Sequence, residues 1–230
     1  LLFLPVLFLT FNSSSQVVLP LKERVSAIED IQKDRLENLL PKLMKREKID
    51  CWIIITREYN EDPVIKSLLP PTWLNARRRT ILVFTLNESS SKVDMAAITR
   101  YSFGNLIKSV WDKEKEPNQM KALVDYLSLK NPKKIGINIS KIYGIADGLS
   151  VTDNNLLMSY LPKSLESKVV SAEPLAVSWI ETRTEKEMIL FSHLTEITHN
   201  IIKEAFSTSV ITPGVTTTDD VVWWMREKVS

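Results

Sequence analysis

Two histidines, an aspartate pair and a single cysteine are the side chains of this sequence whose types could do chemistry. His193 and His199 flank Glu196, a set that could in principle hold a metal ion. A zinc-peptidase helix places its histidines at i and i+4, on one face, with a glutamate beside the first. Here the spacing is six, which at roughly 100° per residue leaves the two rings about 120° apart around a helix. They read as exposed or hydrogen-bonded helix residues. Asp219 and Asp220 are adjacent, so their carboxylates leave a helix in different directions. Charge at a helix N-terminus, where the dipole favours it, explains them better than a metal pair. Cys51 is the only cysteine and lies in an apolar run. One thiol makes neither an internal disulfide nor a thiolate metal site, so Cys51 reads as a buried core residue.

Other chemistries fail on spacing. Gly104, Gly136, Gly144, Gly148 and Gly214 never form a phosphate loop or a dinucleotide fingerprint, and there is no Gly-x-Ser-x-Gly elbow. The segment from Arg57 to Asp62 is dense in polar groups but has the composition of a solvated loop. Trp223 and Trp224 face two ways on a helix, so at least one is expected in a core. The residues assign no catalytic group and no metal ligand.

The elements that would position a site are clearer. Leu36, Leu39, Leu40 and Leu43 recur at helical spacing, with a kink or boundary expected at Pro41. Cys51 to Thr56 is a buried strand, and a loop to Thr72 carries one helical turn near Val64 to Leu69. Arg79 to Leu86 and Val93 to Thr99 are expected to pair as a hairpin. Pro117 opens a helix that runs to about Leu129 and stops before Asn131-Pro132. Ile135, Ile137 and Ile139 alternate as a strand, a helix capped by Thr152 or Asp153 follows, and Val169-Val170 is a last strand. Strands alternating with helices predict an α/β domain with a mixed sheet.

From Glu173 the pattern turns helical, which sets the expected domain boundary. Thr184 and Glu187 have capping-box spacing, and Leu190, Leu194, Ile197, Ile201 and Ala205 recur behind them on one helix. Pro213-Gly214 breaks the chain, and Thr216 or Thr217 caps a second helix.

Composition narrows the class. Of 230 residues, 44% are hydrophobic and 25% charged, as in a soluble protein with a real core. Thirty basic against 28 acidic residues leave a formal charge of +2, which argues against a dedicated nucleic-acid surface. The basic clusters at Arg77–Arg79 and Lys42–Lys48 read as solvated faces. Leu1 to Phe11 is apolar and Asn12 to Ser15 small and polar, so residues 1–15 are expected to be the remnant of a signal peptide, with an uncleaved anchor as the alternative. Export to the periplasm or the extracellular space follows from that reading, with no other membrane contact.

The order of parts resembles the pita-bread metallopeptidase superfamily, which includes aminopeptidase P, prolidase, creatinase and methionine aminopeptidase. Arg35 to Met44 (RLENLLPKLM) and Cys51 to Thr56 (CWIIIT) look like the opening helix and strand of a creatinase-type N-terminal domain. The loop Arg57 to Pro63 (REYNEDP) and the strand at Arg79 look like an exported Xaa-Pro-aminopeptidase-like branch. Thr182 to Glu187 (TRTEKE) and Ile211 to Asp220 (ITPGVTTTDD) look like the start of the catalytic domain and its second helix.

The resemblance implies a creatinase-type domain over residues 21–172 and the start of a pita-bread domain over 173–230. It also implies two divalent metal ions (Mn, Co or Zn) held by Asp, Asp, His, Glu and Glu, all expected beyond Ser230. The substrate would be a peptide cut before proline, with a homodimer possible. The chain itself is expected to be inactive. A non-catalytic exported binding or scaffold protein and a creatinase-like C–N hydrolase are the alternatives on the same fold.

Overall fold

The structure, a computed structural model, describes residues 18–87 and 89–230. The expected signal-peptide remnant at residues 1–15 lies outside them. The chain divides into two units, one of Val25–Glu187 and one that joins Met188–Ser230 to the described residues up to Arg24.

In the larger unit six strands form one sheet: β1 (Cys51–Arg57), β2 (Arg79–Asn87), β3 (Lys92–Ala97), β4 (Lys108–Ser109), β5 (Ile135–Ile137) and β6 (Val169–Ser171). Their order is β4-β3-β2-β1-β5-β6. β2 pairs antiparallel with β1 and β3, while β5 lies parallel to β1 and β6, and β4 parallel to β3. The expected α/β class with a mixed sheet is therefore what the chain adopts. β1 is apolar from Cys51 to Ile55 because both faces of the sheet are covered there. Trp52 and Ile54 share one core with Leu40 and Met44 of α2 (Leu40–Glu47) and Trp179 of α7 (Glu173–Glu181). Cys51, Ile53 and Ile55 share the other with Leu123 and Leu127 of α4 (Gln119–Lys130) and Leu157 of α5 (Val151–Tyr160).

The first helix, α1 (Leu21–Asp34), runs into α2 through a π-helical segment, Arg35–Leu39. Pro41 is the cause. It cannot donate to a preceding carbonyl, and its ring crowds that turn. The ladder widens instead, with Leu40 N donating to Arg35 O five residues back. α3 (Ile65–Leu68) is the expected helical turn.

Local details differ from expectation at two caps and one strand end. Asn118 caps α4, accepting from Met120 N and Lys121 N, so Pro117 precedes the cap and is not in the first turn. Ser150 caps α5 in place of Thr152 or Asp153. β5 ends at Ile137 and leaves Ile139 outside the strand. The short α6 (Lys163–Glu166) then leads to β6. α7 buries Leu175, Ala176 and Trp179 in the sheet core, so packing groups it with the sheet although the composition changes at Glu173.

Past Glu187 the chain forms most of α8 (Glu185–Ala205) and then α9 (Thr218–Lys228). The capping box at α8 is formed: Thr184 N donates to Glu187 Oε2 at 2.8 Å, and Glu187 N to Thr184 Oγ1 at 3.3 Å. Gly214 (φ 78°) turns the chain, and Thr217 with Asp220 makes a second capping box. The expected long helix is present, and Ala205 and Val221 are buried, but Leu190 and Leu194 of its apolar face are 44% and 57% exposed. Neither tryptophan enters a core, which corrects the expectation for that pair. Trp223 is 60% exposed beneath Arg226, and Trp224 is half-buried beside Lys228. α9 is short and buries Val221 alone, so it leaves most of both helices uncovered.

Candidate functional site

His193, Glu196 and His199 all lie exposed on α8. Among the described residues no group of three or more His, Cys, Asp and Glu side chains gathers in a way that could hold a metal ion. Asp219 is exposed in the first turn of α9. Asp220 accepts from Thr217 N at 2.8 Å and from its hydroxyl at 2.7 Å, and those two bonds hold its acid below the usual carboxylate range. Capping accounts for it. Cys51 is fully buried, and burial pushes its thiol up to about 12, so it is no nucleophile.

The polar loop after β1 is not simply solvated. β1–β2 register sets Arg57 directly opposite Arg79, a like-charge pair that needs neutralising. Asp153 from α5 supplies it: its Oδ2 accepts from Arg57 Nε at 2.6 Å, and its Oδ1 lies 3.2 Å from Arg79 Nε as an ion pair out of hydrogen-bond alignment. Ser150 Oγ also donates to Asp153 Oδ2, at 2.9 Å. Asp153 read as a cap in the sequence because its two partners come from distant strands.

Asp62, at the end of the same loop, is fully buried. Its Oδ1 accepts from Val64 N and its Oδ2 from Asn138 Nδ2, both at 2.8 Å, while its own N donates to Thr56 Oγ1. Asn138 Oδ1 accepts in turn from Trp52 Nε1 at 2.7 Å. Burial raises the Asp62 acid above its usual range, partly offset by the Asn138 and Val64 bonds. Gly148 closes the space: a Cβ there would stand 2.2 Å from Asp62 Cγ. Both oxygens are occupied and the group is sealed from solvent, so this network positions the loop and has no room for a substrate. Its signal in the sequence is an asparagine inside an isoleucine-rich strand pattern.

A third cluster was not legible at all. Arg35 is 5% exposed, and its guanidinium donates to Thr182 O at 2.9 Å, to both oxygens of Glu187 and to Trp179 O, while lying 4.4 Å over the Trp179 ring. This anchors the α7–α8 connection within the sheet unit.

No family model, curated protein or solved structure matches the chain. The described residues do not fit a pair of divalent metal ions: the exposed histidines stand on one helix, Asp220 is spent on its cap, and the buried carboxylates are held by arginines or amides. The clusters around Asp153, Asp62 and Arg35 are accounted for by the packing they hold.

Proposed function

We propose that this chain is the N-terminal part of an exported, metal-dependent aminopeptidase of the pita-bread superfamily, acting on the bond before proline. In this reading residues 21–172 are a creatinase-type domain that shapes the route to the active site, and α8 and α9 are the first helices of the catalytic domain. The observation that carries it is the uncovered apolar surface of those helices. Leu194 and Trp223 are 57% and 60% exposed on helices whose caps are both complete, and Phe206, just past the end of α8, is 70% exposed. Apolar faces of this kind mark a surface that further protein covers. The order of parts supports the same reading: a mixed sheet, a capped long helix, a Thr-Pro-Gly turn and a second capped helix.

The metal ligands Asp, Asp, His, Glu and Glu belong beyond Ser230 in this account, and His193 and His199 are not among them. No catalytic step is assigned to the described residues. The test is peptidase assay of the protein with all that follows Ser230, with Mn²⁺ and Xaa-Pro peptides. Metal-dependent release of the N-terminal residue supports the proposal, turnover of only non-peptide C–N substrates replaces it with a creatinase-like hydrolase, and no turnover leaves a binding protein.

A further inference from the structure

The π-helical segment, α2, the residues leading into β1 and β5 and those around the β2–β3 turn line an open cleft of about 870 Å³. Pro41, Met44, Ile49 and Leu86 supply its apolar floor. Lys42, Lys45, Lys48 and Lys134 stand around it with exposed side chains, and no ion pair engages any of the four among the described residues. Two acids also line it: Asp50 accepts from Lys133 N at 2.7 Å and Lys134 N at 2.6 Å, and Glu37 stands exposed at the rim, so the four lysines outnumber them. The negative end of the α2 dipole accounts for Lys45 and Lys48. It does not account for Lys134, which reaches the same cleft from the segment before β5.

We propose that this cleft binds an amphipathic organic anion, a long-chain fatty carboxylate. Its volume is that of a small-molecule site, far beyond the needs of a bare ion. Methionine adapts to a flexible chain, and lysine stems extend the apolar wall while their ammonium groups stay at the rim. Lysine acts as a mobile point charge, which suits one carboxylate head on a chain of variable reach. No aromatic ring is among the described lining residues, so stacking of a flat ligand has no platform. The proposal is independent of the aminopeptidase reading, since every residue it uses lies in the sheet unit.

The experiment titrates dodecanoate, below its micelle concentration, into the chain by calorimetry, beside the uncharged dodecyl maltoside. The double variant Lys45→Glu/Lys134→Glu and the separate variant Leu194→Ser, on the exposed face of α8, complete the set, each checked for an unchanged melting curve. One equivalent of dodecanoate should bind, about tenfold or more tighter than the maltoside, with about a tenfold loss in the lysine variant and none in Leu194→Ser. Absence of dodecanoate binding overturns the proposal. So does equal affinity for the uncharged chain, or a loss confined to Leu194→Ser.

Discussion

Arg35 and Glu187 meet at 2.7 Å although 152 residues separate them, which ties the π-helical segment to the first turn of α8. Arg35 also donates to the carbonyls of Trp179 and Thr182, so its removal takes this donor from both and leaves the Glu187 charge without its ion-pair partner. Arg35→Ala should cost about 3–5 kcal/mol, the range for breaking a buried pair. Glu187→Gln should cost less, about 1–2 kcal/mol, because its amide oxygen can still accept from Thr184 N. Urea unfolding of both variants gives the comparison. Equal and small losses would show that the pair does not anchor the connection.

Gly148 has no room for a side chain, because a Cβ would press on Asp62, itself locked by two hydrogen bonds. Gly148→Ala should destabilise by about 2–3 kcal/mol through overpacking. Gly144 faces open space, so Gly144→Ala should stay within about 0.5 kcal/mol of the native chain. Thermal or urea melts that rank the two variants the other way would refute the close approach.

The raised acid of Asp62 gives stability a definite pH slope. Burial makes the folded chain hold this proton more tightly than the unfolded chain, whose Asp titrates near about 3.9. Its contribution is therefore greatest in acid, declines as pH climbs from about 4 to the folded value, and is flat above that. The stability of the native chain minus that of Asp62→Asn should fall across this window. Exposed carboxylates with lowered acids, such as Asp220, slope the other way but cancel in the difference. A difference that rises with pH would contradict the assignment.

Cys51 should resist a disulfide reagent in the folded chain at pH 8 and react fully once unfolded in guanidinium. Its thiol is buried and pushed up to about 12, so almost no thiolate is present to attack. Rapid labelling of native protein, measured by absorbance, would show that the strand opens locally.

What could be read in advance depended on how local its cause was. The run from Cys51 to Thr56 announced a strand covered on both faces, and Thr184 with Glu187 announced a cap, since each signal sits within a few residues. Pro41 announced a disturbance, though not that a π turn would absorb it. Asp153 was misread because the charge it serves lies 96 residues away on β1, and no spacing rule links a helix N-terminus to a cross-strand arginine pair. Arg35 was silent for the same reason. Leu190 and Leu194 carried a true helical period, but periodicity states which face is apolar and not what lies against it.

The central claim is that this chain opens a metallopeptidase whose ligands lie elsewhere in the protein. Its most direct test is release of the N-terminal residue from an Xaa-Pro peptide, with and without Mn²⁺, by the protein extended past Ser230 and by residues 18–230 alone. The account predicts metal-dependent release by the extended protein and none by residues 18–230. Metal-dependent cleavage by residues 18–230, or none by the extended protein, would contradict it.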